Sequence, residues 1–177
     1  MSSVYVQTFA NNSYNTKDYT YYGVELTDSM WHDQYITQIK FNMYTNFDEF
    51  SGTLYLNHVT TSGTVTQIAS GAFNITATLR DVEFTGLSQA LGSSGCHIML
   101  SGFPTDPGEA LELRTSYLGN QVPTSATKAP VSRMNSAPPD TSQTELPLIE
   151  ITYQDSPPTP GSSGGTRLPP PPLIARF

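Results

Sequence analysis

The uneven distribution of proline constrains the fold of this 177-residue sequence more than any other feature. Only Pro104 and Pro107 occur in residues 1–120, whereas residues 121–177 contain twelve prolines. Because proline has no amide proton to give to a sheet ladder, it is excluded from central strands. The first 120 residues can therefore form continuous sheet, and most of the remaining sequence cannot.

Residues 1–118 read as short alternating strands separated by Gly and Ser turns. In YITQIKFNM (35–43), Tyr35, Ile39, Phe41 and Met43 fall near one face, opposite polar residues. No segment has helical periodicity over three turns, and strands spaced by about 8–12 residues are typical of sandwiches. We therefore predict an all-β, antiparallel two-sheet β-sandwich, jelly-roll-like, over residues 1–118. Its further strands are predicted at 4–9, 19–26, 53–59, 64–70, 72–79, 82–84, 96–103 and 111–117.

Beyond residue 118 the pattern changes. Residues 119–145 are rich in Pro, Ser and Thr and are predicted to form a long loop. LPLIEITYQ (146–154) then predicts one added strand, and Pro147 near its start favours an edge position. Two alternatives are open for its pairing: the strand joins the sandwich of its own chain, or it pairs with another subunit.

Residues 155–177 are predicted to be an extended, Pro-rich C-terminal arm. Fully extended at about 3.1 Å per residue, such an arm reaches roughly 70 Å, far enough to cross a neighbouring subunit. Four successive prolines cost little entropy to order, and the apolar residues after them can be buried against a partner. The predicted partner-docking residues are Leu168, Pro169, Pro170, Pro171, Pro172, Leu173, Ile174, Arg176 and Phe177.

The charge distribution limits the possible partners. Residues 1–120 contain four basic and eleven acidic residues, a net charge of −7, and residues 121–177 are balanced. Without a basic stripe, neither a nucleic acid nor an anionic membrane is an expected partner. The sequence has neither an apolar run of about 18 residues nor the pattern of a signal peptide, so we expect assembly in a cytoplasm.

Motifs for chemistry are scarce. His32, His58 and His97 are not at metal-ligand spacing, and the lone Cys96 is expected to be a small buried hydrophobe. We therefore predict no enzymatic activity, no cofactor and no metal. Trp31, His32 and Asp33 are a candidate glycan contact, because a flat aromatic face stacks on a sugar ring. The alternative is that Trp31 caps one end of the core.

The succession ITQIKFNM, FSGTLYLNH, IASGAFNI, VEFTGL and GCHIML, over roughly residues 20–118, resembles the jelly-roll sandwiches of tailed-bacteriophage accessory proteins and of carbohydrate-binding modules. The resemblance lies in strand rhythm and turn placement, and it implies a non-enzymatic structural or binding module.

The hypothesis favoured by the resemblance and the arm is a virion protein: a head decoration (cement) protein on the outer surface, made in the host cytoplasm. Its partners would be the major capsid protein or neighbouring accessory subunits. We expect a homo-oligomer, with a trimer favoured. Two alternatives stay open, a tail or neck fibre (adhesin) component that binds host glycan, and a stand-alone carbohydrate-binding module.

Overall fold

The computed structural model of the chain describes residues 1–7, 12–16, 19–45, 49–76, 80–104, 111–117, 128–142 and 145–159. Within these ranges nearly all of the regular structure is β-strand, and one short 3-10 turn spans Ser29–Trp31. No helix in these ranges has the length and apolar character needed to cross a membrane. The predicted all-β class is confirmed.

The described residues contain thirteen strands, which are numbered in chain order. Their bounds are β1 (Ser2–Gln7), β2 (Asn12–Asn15), β3 (Tyr21–Leu26), β4 (Tyr35–Thr45), β5 (Glu49–Val59), β6 (Val65–Thr76), β7 (Arg80–Ala90), β8 (Cys96–Ser101), β9 (Leu111–Tyr117), β10 (Val131–Met134), β11 (Asp140–Ser142), β12 (Glu145–Pro147) and β13 (Ile149–Gln154).

The strands form two antiparallel sheets, as predicted. Sheet A has the order β1-β13-β4-β9-β12, with β7 also paired to β4 and β2 also paired to β9. Sheet B has the order β11-β10-β3-β8-β5-β6. Phe41 from sheet A and Ile98 from sheet B belong to one buried cluster, so the two sheets close over a common core.

The strand β4 shows how the sequence pattern becomes a core. Ile36, Ile39, Phe41 and Met43 are all buried, with exposed fractions of 1% or less. Ile36 and Ile39 are three residues apart, and both face the core because the pairing register shifts at Thr37, where β4 bulges. The predicted face is therefore corrected at its first position: the buried residue there is Ile36, and Tyr35 is only partly buried.

The segment predicted as a loop, 119–145, contains strands. Within its described part, β10 lies between β3 and β11 in sheet B, with Val131 opposite Val24. Ala129 and Val131 are fully buried, and Met134 is nearly so. The prediction is wrong for these residues because strands of three or four residues beside prolines carry too little alternation to recognise. Residues 118–127 lie outside the described part.

The added strand is also corrected. Ile149–Gln154 pairs with β4 on one side and with β1 on the other, so β13 is internal to sheet A. This pairing lies within one chain, which decides between the two alternatives left open by the sequence. Pro147 belongs to a separate short strand, β12, that pairs with β9. The position predicted for β13, the edge of the sheet, is occupied by β1 instead.

Strand lengths differ from the sequence predictions around β6 and β7. Residues 64–70 and 72–79 were expected to be two strands, but β6 continues through Gly71. The short strand expected at 82–84 is the eleven-residue β7. Its alternation is interrupted at Gly86, which has a φ of +67°, where the pairing with β4 skips three residues of β7, Gly86 to Ser88. A bulge residue with a positive φ favours glycine. Because the bulge interrupts the alternation, the sequence pattern predicts a shorter strand than β7.

We expect Phe41→Ala to lower the free energy of unfolding by about 3–5 kcal/mol, because it leaves a cavity in a closely packed core. Phe41 is fully buried at the centre of sheet A. The matched control is Gln67→Ala on the exposed side of β6, which should change the free energy by no more than ~0.5 kcal/mol. Urea unfolding measures both, and equal effects would contradict the described core.

Candidate functional site

The predicted glycan cluster begins in the 3-10 turn between β3 and β4. Asp28 caps this turn by accepting a hydrogen bond from the Met30 amide, and its carboxylate lies 2.7 Å from the Lys128 ammonium. The same lysine holds the pKa of Asp28 below its usual value. The turn is thereby tied to the segment that leads into β10.

Trp31 is fully buried at this turn. The rings of Tyr5 in β1 and Tyr153 in β13 pack against it edge-on, each with a centroid 5.2 Å away. The indole N–H donates a hydrogen bond to the Lys128 carbonyl, which satisfies the one polar atom of this side chain. Trp31 thus caps the end of the core, which is the alternative weighed in the sequence.

This burial removes Trp31 as a glycan contact, because a sugar ring needs an exposed aromatic face. His32 is partly buried, and its Nε2 lies 3.0 Å from the Thr27 carbonyl. Asp33 is exposed and has a φ of 59°. Its amide N–H donates a hydrogen bond to the Gly92 carbonyl. The three residues are therefore adjacent, but they present no aromatic platform.

Because Trp31 is the single tryptophan of the sequence, its fluorescence reports this burial directly. We expect acrylamide to quench the folded protein much less than the urea-unfolded chain, since the indole has no exposed surface. The unfolded chain is the internal control for collisional access. Similar quenching in the two states would contradict the position of Trp31.

A buried histidine–serine pair lies on the face of sheet B that is turned away from the main core. His97 Nδ1 is 2.8 Å from Ser132 Oγ, and the serine hydroxyl also donates to the Asp140 carbonyl. Both side chains are buried, at 4% and 0% exposure. A substrate has no access to this pair, so its role is to join β8, β10 and β11. No local pattern predicts this pair, because 35 residues separate the partners.

Burial lowers the pKa of His97, an effect partly opposed by the nearby Glu25 carboxylate, and burial also lowers the pKa of His58. An unfolded histidine titrates near pH 6.5. As the pH falls below that value, the unfolded chain takes up protons that the folded chain does not. The free energy of unfolding should therefore decrease from about pH 7.5 to about pH 5.5.

His97→Gln keeps a hydrogen-bonding group and removes the titration, so it should flatten this pH dependence, and His58→Gln should flatten it further. Urea unfolding at a series of pH values tests both variants. An unchanged slope in His97→Gln would show that this histidine is not held neutral.

The predicted docking residues, from Leu168 to Phe177, lie outside the described residues. The described chain reaches residue 159, just past β13. Because Gln154 pairs with Ser2, the chain leaves sheet A beside the beginning of β1. The arm predicted for residues 155–177 would therefore begin next to the edge strand.

The edge strand β1 is the most apolar exposed feature of the described residues. Four large hydrophobic side chains of the described residues are exposed. Three of them, Met1, Val4 and Val6, lie in β1 or directly before it. Val4 and Val6 are 57% and 52% exposed, on the outer face of sheet A. Tyr5, between them, points inward to Trp31. The fourth residue, Tyr55, lies in sheet B.

Beside Val6 the outer face of sheet A becomes acidic. Across the strands, Val6 lies opposite Glu150, Glu150 opposite Lys40, and Lys40 opposite Glu83. Lys40 Nζ is 3.2 Å from Glu150 and 3.9 Å from Asp81, and the hydrogen bond to Glu150 raises the pKa of Lys40. Three carboxylates thus surround one ammonium group, and an excess negative charge remains.

A shallow hollow opens within this surface. It has a volume of about 100 Å³ and is lined in part by Val6, Leu148 and Ile149, of which Ile149 has its side chain buried in the core. Its polar rim is formed by Lys40, Asn42, Asp81 and Glu150. The hollow is large enough for one apolar side chain of a partner, with carboxylates placed to receive a cation beside it.

Elsewhere in the described ranges, no three His, Cys, Asp or Glu side chains come together as a metal-binding group. Burial raises the pKa of the Cys96 thiol to about 12, so this cysteine is an inert part of the core. Fold and surface together define a two-sheet β-sandwich with an apolar edge strand. No protein-family model, curated protein or solved structure matches the chain.

Proposed function

We propose that this protein is a non-enzymatic structural protein of a virus particle, a head decoration (cement) protein. In this proposal its C-terminal arm, residues 155–177, clamps neighbouring capsid or accessory subunits. The observation that carries the proposal is the end of the described core at β13, ahead of a proline-rich sequence. The buried core of the described residues ends at Ile151, with Tyr153 packed against it. The sequence that follows is therefore available for contacts with a partner.

The composition of the arm supports a docking role. Residues 160–177 contain Arg167 and Arg176, no acidic residue and five of the fourteen prolines. A restricted, basic and apolar segment loses little entropy on binding and is attracted to acidic protein surfaces. Aromatic and aliphatic anchors dominate interfaces, so Phe177, Ile174 and Leu173 carry most of the proposed contact.

The charge of the sandwich supports a position on the outer surface of the particle. The net charge of −7 lies within residues 1–120. An acidic module is repelled by packaged nucleic acid, whose binding needs Lys and Arg. A homo-oligomer on the particle, with a trimer favoured, follows from the usual closed symmetry of assemblies and from the reach of the arm.

The glycan-binding alternatives, a tail or neck fibre and a stand-alone carbohydrate-binding module, needed an exposed aromatic platform. Trp31 is buried. Among the described residues, Tyr55 is the one aromatic side chain in the group of exposed large hydrophobic residues, at 37% exposure. Because it stands alone, it gives these alternatives little support.

Deleting residues 160–177 should leave the sandwich folded and greatly weaken attachment to particles. We expect the thermal midpoint to change by no more than about 2 °C, because the deletion touches no described core residue. Attachment is measured by adding full-length or shortened protein to particles that lack it and comparing occupancy. The control is Tyr55→Ser, which should attach like the full-length protein.

Equal occupancy of the shortened and full-length proteins would show that the sandwich surface, and not the arm, attaches to the particle. Loss of folding on deletion would show that the arm belongs to the domain.

A further inference from the structure

The outer edge of β1 has the properties of a strand that accepts another strand. Within the described residues it is the last strand on its side of sheet A, paired only with β13. Edge strands are usually protected by lysine, proline or bulges. Ser2–Gln7 contains neither a charged residue nor a proline, and its pairing with β13 is regular along all six positions. Such an edge is suited to β-strand addition.

The side chains around this edge specify what the added strand should contain. Val4 and Val6 present apolar surface, and the partly buried Leu148 lines the hollow beside Val6. Glu150, Asp81 and Glu83 outnumber Lys40, which leaves a charge of −2 on this part of the surface. The fitting strand is therefore short, apolar and basic, without acidic residues.

The sequence contains a segment of this composition at Leu173–Phe177. In an extended conformation Ile174 and Arg176 share one face, so the isoleucine can cover Val4 or Val6 while the arginine reaches towards Glu150. The four prolines just before Leu173 have no amide protons and cannot enter a ladder. Pairing can therefore begin only at Leu173, which fixes the length of the added strand.

The proposed function of the arm selects a second copy as the source of this segment, because that function joins neighbouring subunits. β13 ends beside Ser2, so an antiparallel strand added to β1 by the same chain has to start near Gln7, roughly 20 Å from that point. Residues 155–172 are long enough to cover this distance, so chain length does not decide between the same chain and a second copy. The same-chain alternative predicts a monomer, which sedimentation distinguishes from exchange between copies.

We propose that the edge of β1 is the receptor for Leu173–Phe177 of a second copy, so that copies exchange C-terminal arms. This inference rests on the proposed function of the arm as a docking element, and it names the partner and the site. The added strand extends sheet A, covers Val4 and Val6, and places Arg176 against the acidic face beside them.

The test uses full-length protein and sedimentation velocity over a dilution series. The receptor variant is Val6→Lys, which puts a charge on the edge and repels Arg176. The arm variant replaces Leu173, Ile174 and Phe177 with serine. The matched control is Tyr55→Ser, which removes the exposed large hydrophobe of the described residues that lies away from β1. Circular dichroism checks that each variant is folded, and Val6→Thr provides a milder receptor change.

We expect the wild type and Tyr55→Ser to associate with rising concentration, and the receptor and arm variants each to remain monomeric. Val6→Thr should weaken association by about tenfold. Mixing the two monomeric variants should restore a heterodimer, weaker than the wild-type assembly because it uses one arm contact instead of two. Only exchange between copies predicts this complementation.

Association of Val6→Lys at wild-type strength would overturn the proposal, as would a mixture that stays monomeric. Association of the arm variant would show that β1 pairs with something else, such as β1 of a second copy, and would overturn it too.

Particle attachment of Val6→Lys separates the two proposals. If this variant is monomeric and still attaches through its arm, the proposed function stands and a different surface receives the arm on the shell.

Discussion

The rest of sheet A depends on the pairing of β13 with β4 on one side and with β1 on the other. Without β13, β1 would lose its only described neighbour and the apolar faces of Ile149 and Ile151 would lose their place in the core. Trp31 strengthens the same junction, because Tyr5 from β1 and Tyr153 from β13 pack against its ring. The two ends of the described chain are therefore held together, and β13 ends beside the edge strand.

The two sheets use their outer faces differently. The outer face of sheet A is polar, with Lys40 held between Glu150 and Asp81. Such partly exposed pairs contribute only about 0–1 kcal/mol each, so their importance lies in the charge they display. The outer face of sheet B instead buries a second small cluster, which includes Val59 and Met99. The larger group of exposed apolar side chains, which includes Val4 and Val6, therefore lies on sheet A and at its edge.

The proposed exchange of arms depends on that edge. Within the described residues, β1 has a neighbouring strand on one side and exposed valines on one face, next to carboxylates that come from two other strands, β13 and β7. Backbone pairing supplies affinity in strand addition, and side chains supply selectivity. A sandwich of this kind needs no reactive group to act as an assembly module.

The sequence by itself determined the all-β class and most strands, because alternation such as that of β4 and β8 reflects a period of two that only a half-buried sheet requires. The arm at residues 155–177 stays a prediction, and the boundary that proline suggested near residue 120 is wrong, because β10 to β13 belong to the two sheets.

Tertiary structure alone decided the rest. Only the fold could show that β10 pairs with β3, that Ile149–Gln154 is internal, and that Trp31 is buried and not displayed. The acidic surface beside β1 joins residues 6, 40, 81 and 150, which are far apart in the chain. Strand neighbours are chosen by long-range pairing and by the closure of two sheets over one core. A local pattern of apolar and polar residues carries no information about which strand will lie alongside.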